Sequence, residues 1–358
     1  MEYTETRRVQ KFGRSTLMVS LPAEWVKKVG LRPGDNVAIE VLDDGSIKVK
    51  PLTYETKKVG KVIHIKISKL TSEELVSRML YAAYVIGFDT ISIKVTDGYL
   101  TEPQLKTLRR MARSLIGAEI VEQSPDKLTL QFFVDPAKYS LPGLIGRMCN
   151  LIKSMLQHLV LGIAEKQQHF FSEVLELETE LDRVYTLSVR QLVLASQDTS
   201  LAKAIGITTS LVTAYRAIAK SLEDAGDALS TAAFELNSLD KEQLTKLNQV
   251  IDYLKESSEM LITITDRLMK ALIERDLILA NKILNAICEF ESYIKRYHLL
   301  IFKNYGLDET YLVMRSILEK MSWAATSIES AAEISFDISF AFRSPEVNLE
   351  KLGTETIV

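Results

Sequence analysis

A chain of 358 residues with 47% hydrophobic and 25% charged side chains has material for more than one core, which points to two or three soluble domains of ordinary size. Its formal net charge of -3 excludes a protein that coats nucleic acid over its whole surface, while leaving room for a local basic patch. The two cysteines, Cys149 and Cys288, lie far apart in apolar helical surroundings and follow no metal-ligand spacing, so both are expected as buried thiols of a reducing compartment. The polar start MEYTETRRVQ lacks the apolar run of a signal peptide. No stretch reaches the ~20 apolar residues of a membrane span, so the expected location is the cytoplasm.

From Thr6 to about Thr53 the chain alternates short strands and turns. In STLMVSLP, Leu17, Val19 and Leu21 share one face at strand period. PAEWVKKVG opens on Pro22 and stops at Gly30, the signals of a helix of one or two turns, with Trp25 as its expected core anchor. RPGD makes a turn. NVAIEVL and SIKVKP flank DDGS, and Asp-Gly between alternating runs predicts a hairpin. Between Arg7 and Gly34 stand Arg7, Arg8, Lys11, Arg14, Lys27, Lys28 and Arg32, seven cations against the single acid Glu24. Such a concentrated positive face is the footprint of phosphate-backbone binding, although a unit of this kind can also serve dimerisation alone.

From Lys61 to about Pro136 the pattern is strand, helix, strand, helix and a hairpin turning at Pro125–Asp126. KVIHIKI and DTISIKV are the first two strands. SEELVSRMLYAAYVIG, opened by Ser72 and closed by Gly87, and EPQLKTLRRMARSLIG are the helices. This is a small α+β layer without a recognisable chemical motif, expected to act as a spacer or a dimerisation domain.

From Leu141 to about Arg343 everything reads as helix. Breaks near Lys166–His169, Ser196–Ser200, Leu236–Glu242, Glu274–Asp276 and Asn304–Glu309 leave six helices of about 20 to 35 residues, with connections short enough for antiparallel neighbours. SPEVNLEKLGTETIV reads as a frayed tail. An internal repeat pairs LETELDRVYTL with FESYIKRYHLL, and LEDAGDAL with LEKMSWAA, so that the six helices form two three-helix units.

In the first unit Glu178 and Asp182 are four apart, as are Glu223 and Asp227, and that spacing puts each pair on one helix face. One such pair is common on a solvated surface. Two pairs converging from neighbouring helices repel unless a cation lies between them or some are protonated. Oxygen ligands without His or Cys favour hard cations such as magnesium, manganese or ferric iron. Ala225, Gly226 and Ala228 leave room for close approach, and Glu180 and Asp224 fall on other faces. In the second unit Lys295 and Trp323 replace the aspartates while Glu291 and Glu319 remain. This degenerate second site is expected to place the Lys295 ammonium between the two glutamates, where a cation would otherwise sit. The four histidines are scattered, and His298 reads as a packing residue. No Ser-His-Asp order, phosphate loop or CxxC is present, so no catalytic apparatus is visible and a non-enzymatic role is expected.

Two family resemblances follow. RRVQKFGRSTLMVSLPAEWVKKVGLRPGDNVAIEVLDDGSIKVKP resembles a SpoVT-AbrB domain, in its Gly-Arg-Ser before the first core strand, its Leu-Pro-x-x-Trp and its Gly-Asp before the closing hairpin. That resemblance implies two chains interleaving their strands into a swapped-hairpin dimer that commonly binds DNA. ETELD and EDAGD, in paired three-helix units, resemble the E-x-x-x-D motifs of the PhoU family of phosphate-uptake regulators, whose members bind iron, zinc or other cations there. The combination resembles archaeal PhoU-like proteins. The expected architecture is multidomain: a swapped-hairpin β cassette (1–55), an α+β middle domain (56–138), two three-helix bundles (139–238 and 239–343) and a tail (344–358). The expected function is a dimeric DNA-binding regulator of phosphate uptake. Its cation, whether iron, zinc, manganese or magnesium, would sit on Glu178, Asp182, Glu223 and Asp227. The alternative is an adaptor that binds a phosphate transporter or sensor kinase and uses the cassette only to form a homodimer or higher even oligomer.

Overall fold

Short-range signals shape the N-terminal unit. The computed structural model describes residues 4–41, 45–52, 60–306 and 308–342. Asp43 and Asp44 of the expected hairpin turn, the boundary near residue 55 and the tail from 344 lie outside the described residues. Contacts divide the chain into two units, Met1–Lys61 and Val62–Val358. In the first, β1 (Gln10–Phe12) and β2 (Thr16–Met18) form an antiparallel hairpin whose turn holds Gly13 at φ +68°. α1 (Ala23–Val29) ends on a left-handed Gly30. β3 (Val37–Val41) pairs antiparallel with β4 (Ile47–Pro51).

β2 is shorter than its alternating pattern, because a strand extends only as far as it has a partner and β1 is three residues long. Val19 and Leu21 fall beyond it. No described residue of this unit is buried, and Trp25, the expected anchor, is only half-buried. Phe12, Leu17, Ile39, Val41 and Ile47 each expose 63–73% of their surface.

The second unit begins with a four-stranded sheet in the order β5-β6-β8-β7. β5 (Val62–Ile67) runs parallel to β6 (Thr90–Val95), with α2 (Glu73–Ile86) between them in sequence; β7 (Ala118–Ser124) and β8 (Lys127–Phe132) form the hairpin. Ser72 caps α2 by accepting from the Leu75 N–H, and Gly87 ends it at φ +97°. α3 (Glu102–Ser114) opens with a capping box of Thr101 and Gln104. The buried Gln104 amide also donates to the Ser68 and Thr71 carbonyls, both at 3.0 Å, which ties α3 to the loop after β5. Leu80, Tyr84, Ile91, Ile93, Leu108, Leu128 and Leu130 fill the space between sheet and helices.

Six long helices follow: α4 (Leu141–Ala164), α5 (His169–Gln197), α7 (Val212–Asn237), α9 (Ile251–Glu274), α10 (Leu277–Tyr305) and α11 (Glu309–Ala341). Two short ones, α6 (Thr199–Ala204) and α8 (Lys241–Asn248), were not expected. α6 separates from α7 where Gly206 takes φ +87°. The helices share one hydrophobic core that runs from Leu141 to Ile338, with α7 packed on α11 and α4 on α9. Cys149 is buried and its thiol is pushed up to about 12 by that burial. Cys288 is exposed, contrary to expectation, because it falls on the solvent face of α10. Among the described residues no helix is long and apolar enough to cross a membrane.

One buried cation pins the middle layer to the helices. Arg190 of α5 is 2% exposed, donates to the Tyr84 and Phe88 carbonyls at 2.5 and 2.9 Å, and reaches Asp89 at 3.2 Å. Its guanidinium also lies over the Tyr84 and Phe132 rings. Next to it, the Gln191 amide donates to the Pro136 and Tyr139 carbonyls.

Candidate metal centre

α5 and α7 are antiparallel neighbours: Gln168 reaches the Asn237 carbonyl, Leu181 meets Gly226, and Arg216 lies over the Tyr185 ring. This register brings the two i,i+4 carboxylate pairs to one level. Oxygens of Glu178, Asp182 and Asp227 all lie within 4.8 Å of one another, and so do oxygens of Glu223, Asp224 and Asp227. Among the described residues, both such groups stand on this pair of helices. Asp224 therefore belongs to the edge of the cluster and not to a separate face, because it is one turn from Asp227. Glu180 stays apart, held by Arg147 and Arg183.

Gly226 sets the spacing. A Cβ on it would lie 2.1 Å from Cδ2 of the fully buried Leu181, so a side chain there would force the helices apart. Gly226→Ala is expected to destabilise the protein by about 1–3 kcal/mol through overpacking, against a helix-propensity gain of about 1 kcal/mol. Urea unfolding with and without metal checks this, and a metal-induced stabilisation equal to wild type would show that the spacing does not matter to the site.

The electrostatics are those of crowded anions. Burial, and then the charges of Glu178, Glu223 and Asp227, push the Asp182 carboxyl up to about 7. Asp182 stands at the exposed rim, yet packed atoms close around its carboxyl. Glu178 is raised by burial and by Asp227 and Glu223, Glu223 by burial against the pull of Lys220, and Asp227 chiefly by burial. Lys220, which the sequence did not single out, donates to Glu223 and, at 2.6 Å, to Asp224. It compensates one edge and leaves Glu178, Asp182 and Asp227 without a paired cation among the described residues. An all-oxygen, anionic donor set of this kind fits a hard cation. When bound, a cation would neutralise the carboxylates and cross-link α5 to α7.

Among the described residues the second half forms no such carboxylate group. Lys295 reaches Glu291 at 3.6 Å, but Glu319 accepts from Arg315 at 2.8 Å. Burial and then the Glu291 carboxylate raise Glu329, whereas Glu319 acts on His298, which burial pushes down. His298 is seven residues beyond Glu291, ~10 Å along the helix. Lys295 thus meets Glu291, while Glu319 pairs with Arg315, so the ammonium, contrary to expectation, stands beside one glutamate and is not shared between the two. Trp323 is half exposed beside no such cluster.

Residues 145–234 match the PhoU domain, a span that runs from α4 to α7 and contains all four carboxylates. The chain carries a PhoU domain. Residues 10–57 match the family described as antidote-toxin recognition MazE, bacterial antitoxin, so this PhoU domain follows a MazE/AbrB-like N-terminus. No curated protein matches the chain. Similar solved structures include the phosphate transport system regulatory protein PhoU from Streptococcus pneumoniae, at 15% identity and TM-score 0.44, covering 56% of this chain and 94% of that one. PhoU from Pseudomonas aeruginosa is 14% identical with TM-score 0.42, covering 56% and 92%.

The seven cations between Arg7 and Gly34 are all exposed. Arg7 and Arg8 precede β1, Lys11 lies in it and Arg14 in its turn; Lys27 and Lys28 end α1, and Arg32 follows. Arg7 is paired with Glu5.

Proposed function

We propose that the protein is a phosphate-linked regulator: a homodimer, or a higher even oligomer, that binds DNA through its N-terminal unit and holds a divalent or trivalent cation in its PhoU domain. The N-terminal unit carries this reading. The seven exposed cations between Arg7 and Gly34 sit on a unit with no buried residue among those described and with large apolar side chains in water. Isolated two-stranded hairpins are marginal in water, so such a unit needs a second copy to bury Phe12, Leu17, Ile39, Val41 and Ile47. Twofold pairing doubles the positive charge presented to one duplex. The carboxylate centre would be where a cation, and through it the phosphate supply, is sensed.

The test is fluorescence anisotropy of the full chain on its own upstream DNA and on a scrambled duplex across a salt series. Replacing Arg7, Arg8, Lys11 and Arg14 by Gln should weaken binding and reduce the salt slope by about 0.9 per lost phosphate contact. Sedimentation should show the oligomer unchanged. Weak wild-type binding that is indifferent to sequence and to these substitutions would leave the unit a dimerisation device. The partner to seek would then be a phosphate transporter or sensor kinase.

A further inference from the structure

A cleft between α3 and α5 has no part in the reading above. Its two lobes, of ≈ 550 and ≈ 470 Å³, share Arg109, Arg113 and Arg183. The smaller lobe adds Lys106 and Arg110, and the larger adds Glu119. The chain builds this by simple periodicity. Lys106, Arg109, Arg110 and Arg113 recur at three- and four-residue spacing and so share one side of α3. Arg183 comes from α5. It is one residue past Asp182 and therefore turned about 100° around the helix from the carboxylate centre.

Five cations thus meet one acid in a concave site. Lys106 is paired with Glu102, and Arg183 donates to Glu180 at 2.7 Å. Among the described residues no ion pair falls on Arg109, Arg110 or Arg113, and Nε of Arg183 is buried without a hydrogen-bond partner. Like charges gathered this way raise one another's energy, and a recessed wall of one sign focuses the field on whatever enters. Arginine forks match phosphate oxygens in bidentate geometry. Each lobe falls in the range of about 300–1,000 Å³ typical of small-ligand sites. A single orthophosphate cannot span both lobes and touch the arginines of both helices. A duplex would meet the exposed residues of α3 but not the recessed Arg183.

We propose that this cleft binds a small anion carrying two or more linked phosphates, either an inorganic polyphosphate or a nucleoside polyphosphate. The site is independent of the DNA and cation readings.

The experiment is calorimetric titration of the full chain in chelator with pyrophosphate, ATP and sulfate as probes. At least one phosphate probe should bind about tenfold or more tightly than sulfate. Pyrophosphate as the tighter probe would mark an inorganic ligand, and ATP a nucleotide. Arg109→Gln with Arg113→Gln should weaken that binding about tenfold or more while circular dichroism stays native. Glu119→Gln should strengthen it. No binding, equal binding of all three anions, or undiminished binding by the double variant would overturn the proposal. So would a double variant whose only loss is in DNA binding.

Discussion

The double variant Asp182→Asn, Asp227→Asn is expected to bind metal roughly a hundredfold or more weakly than the wild type, and its metal-free form is expected to melt higher than the metal-free wild type at pH 8. Both effects come from the same geometry. Glu178, Asp182 and Asp227 bring three carboxylates within 4.8 Å of one another across α5 and α7. Asparagine keeps the shape and removes the charge, so two ligands go and the repulsion goes with them. The pH dependence follows from the proton count. The Asp182 carboxyl stands at about 7 in the folded chain, against an ordinary 3.8, through burial and the neighbouring charges. Between those values the folded state holds a proton that the unfolded state has released. Stability of the metal-free protein therefore falls as pH rises through this window, and the loss is complete above about pH 7. Added metal, which competes with protons for the same oxygens, should restore more stability at pH 8 than at pH 5. Differential scanning fluorimetry of both proteins at the two pH values, with chelator and with manganese, reads all of this. Equal metal-induced shifts in wild type and variant would place the cation elsewhere.

Arg190→Ala is expected to destabilise the second unit by about 3–5 kcal/mol, the range for breaking a buried charged network by removing one partner. The guanidinium is buried, and burial lowers its affinity for the proton, but two backbone carbonyls and two aromatic faces hold it charged. Without it the Phe88 carbonyl loses its donor in a closed interface, at about 1–3 kcal/mol, and the Tyr84 carbonyl keeps only the Gly87 N–H. Asp89→Asn should matter far less, under about 1 kcal/mol, because the Asp89 carboxylate is partly solvated and its pair resembles a surface salt bridge. Urea unfolding separates the two variants, and hydrogen exchange in β6 and α2 should rise in Arg190→Ala alone. Similar costs for both would mean that the ion pair, not the carbonyl contacts, fastens the layer.

Much of the second unit was legible because its signals are local. Ser72 and Gly87 bracket α2, Thr101 and Gln104 open α3, and Pro125–Asp126 turns the last hairpin, each acting through its own few residues. Breaks between the long helices announced themselves where a polar or glycine residue left the apolar period. Other features were illegible because they depend on register between helices. The repeat set Lys295 between Glu291 and Glu319 by sequence likeness, whereas the fold pairs Lys295 with Glu291 and Arg315 with Glu319. Asp224 looked like a neighbour on another face until the crowding at Asp227 drew it to the edge of the cluster.

The sequence by itself determined the order of the long helices and of the middle layer's strands, the spacing that sets Glu178 with Asp182 and Glu223 with Asp227, and the run of cations between Arg7 and Gly34. These depend on periods of two and 3.6 residues and on the preferences of single side chains. Only the tertiary structure decided that Gly226 lets α5 approach α7 closely enough to join those pairs. It alone joined the helices around one core, buried Arg190 against backbone carbonyls, and gathered Arg109, Arg113 and Arg183 in one cleft. The physical reason is that such groups meet through the docking of surfaces far apart in the chain, and that docking is chosen by shape and burial summed over many residues.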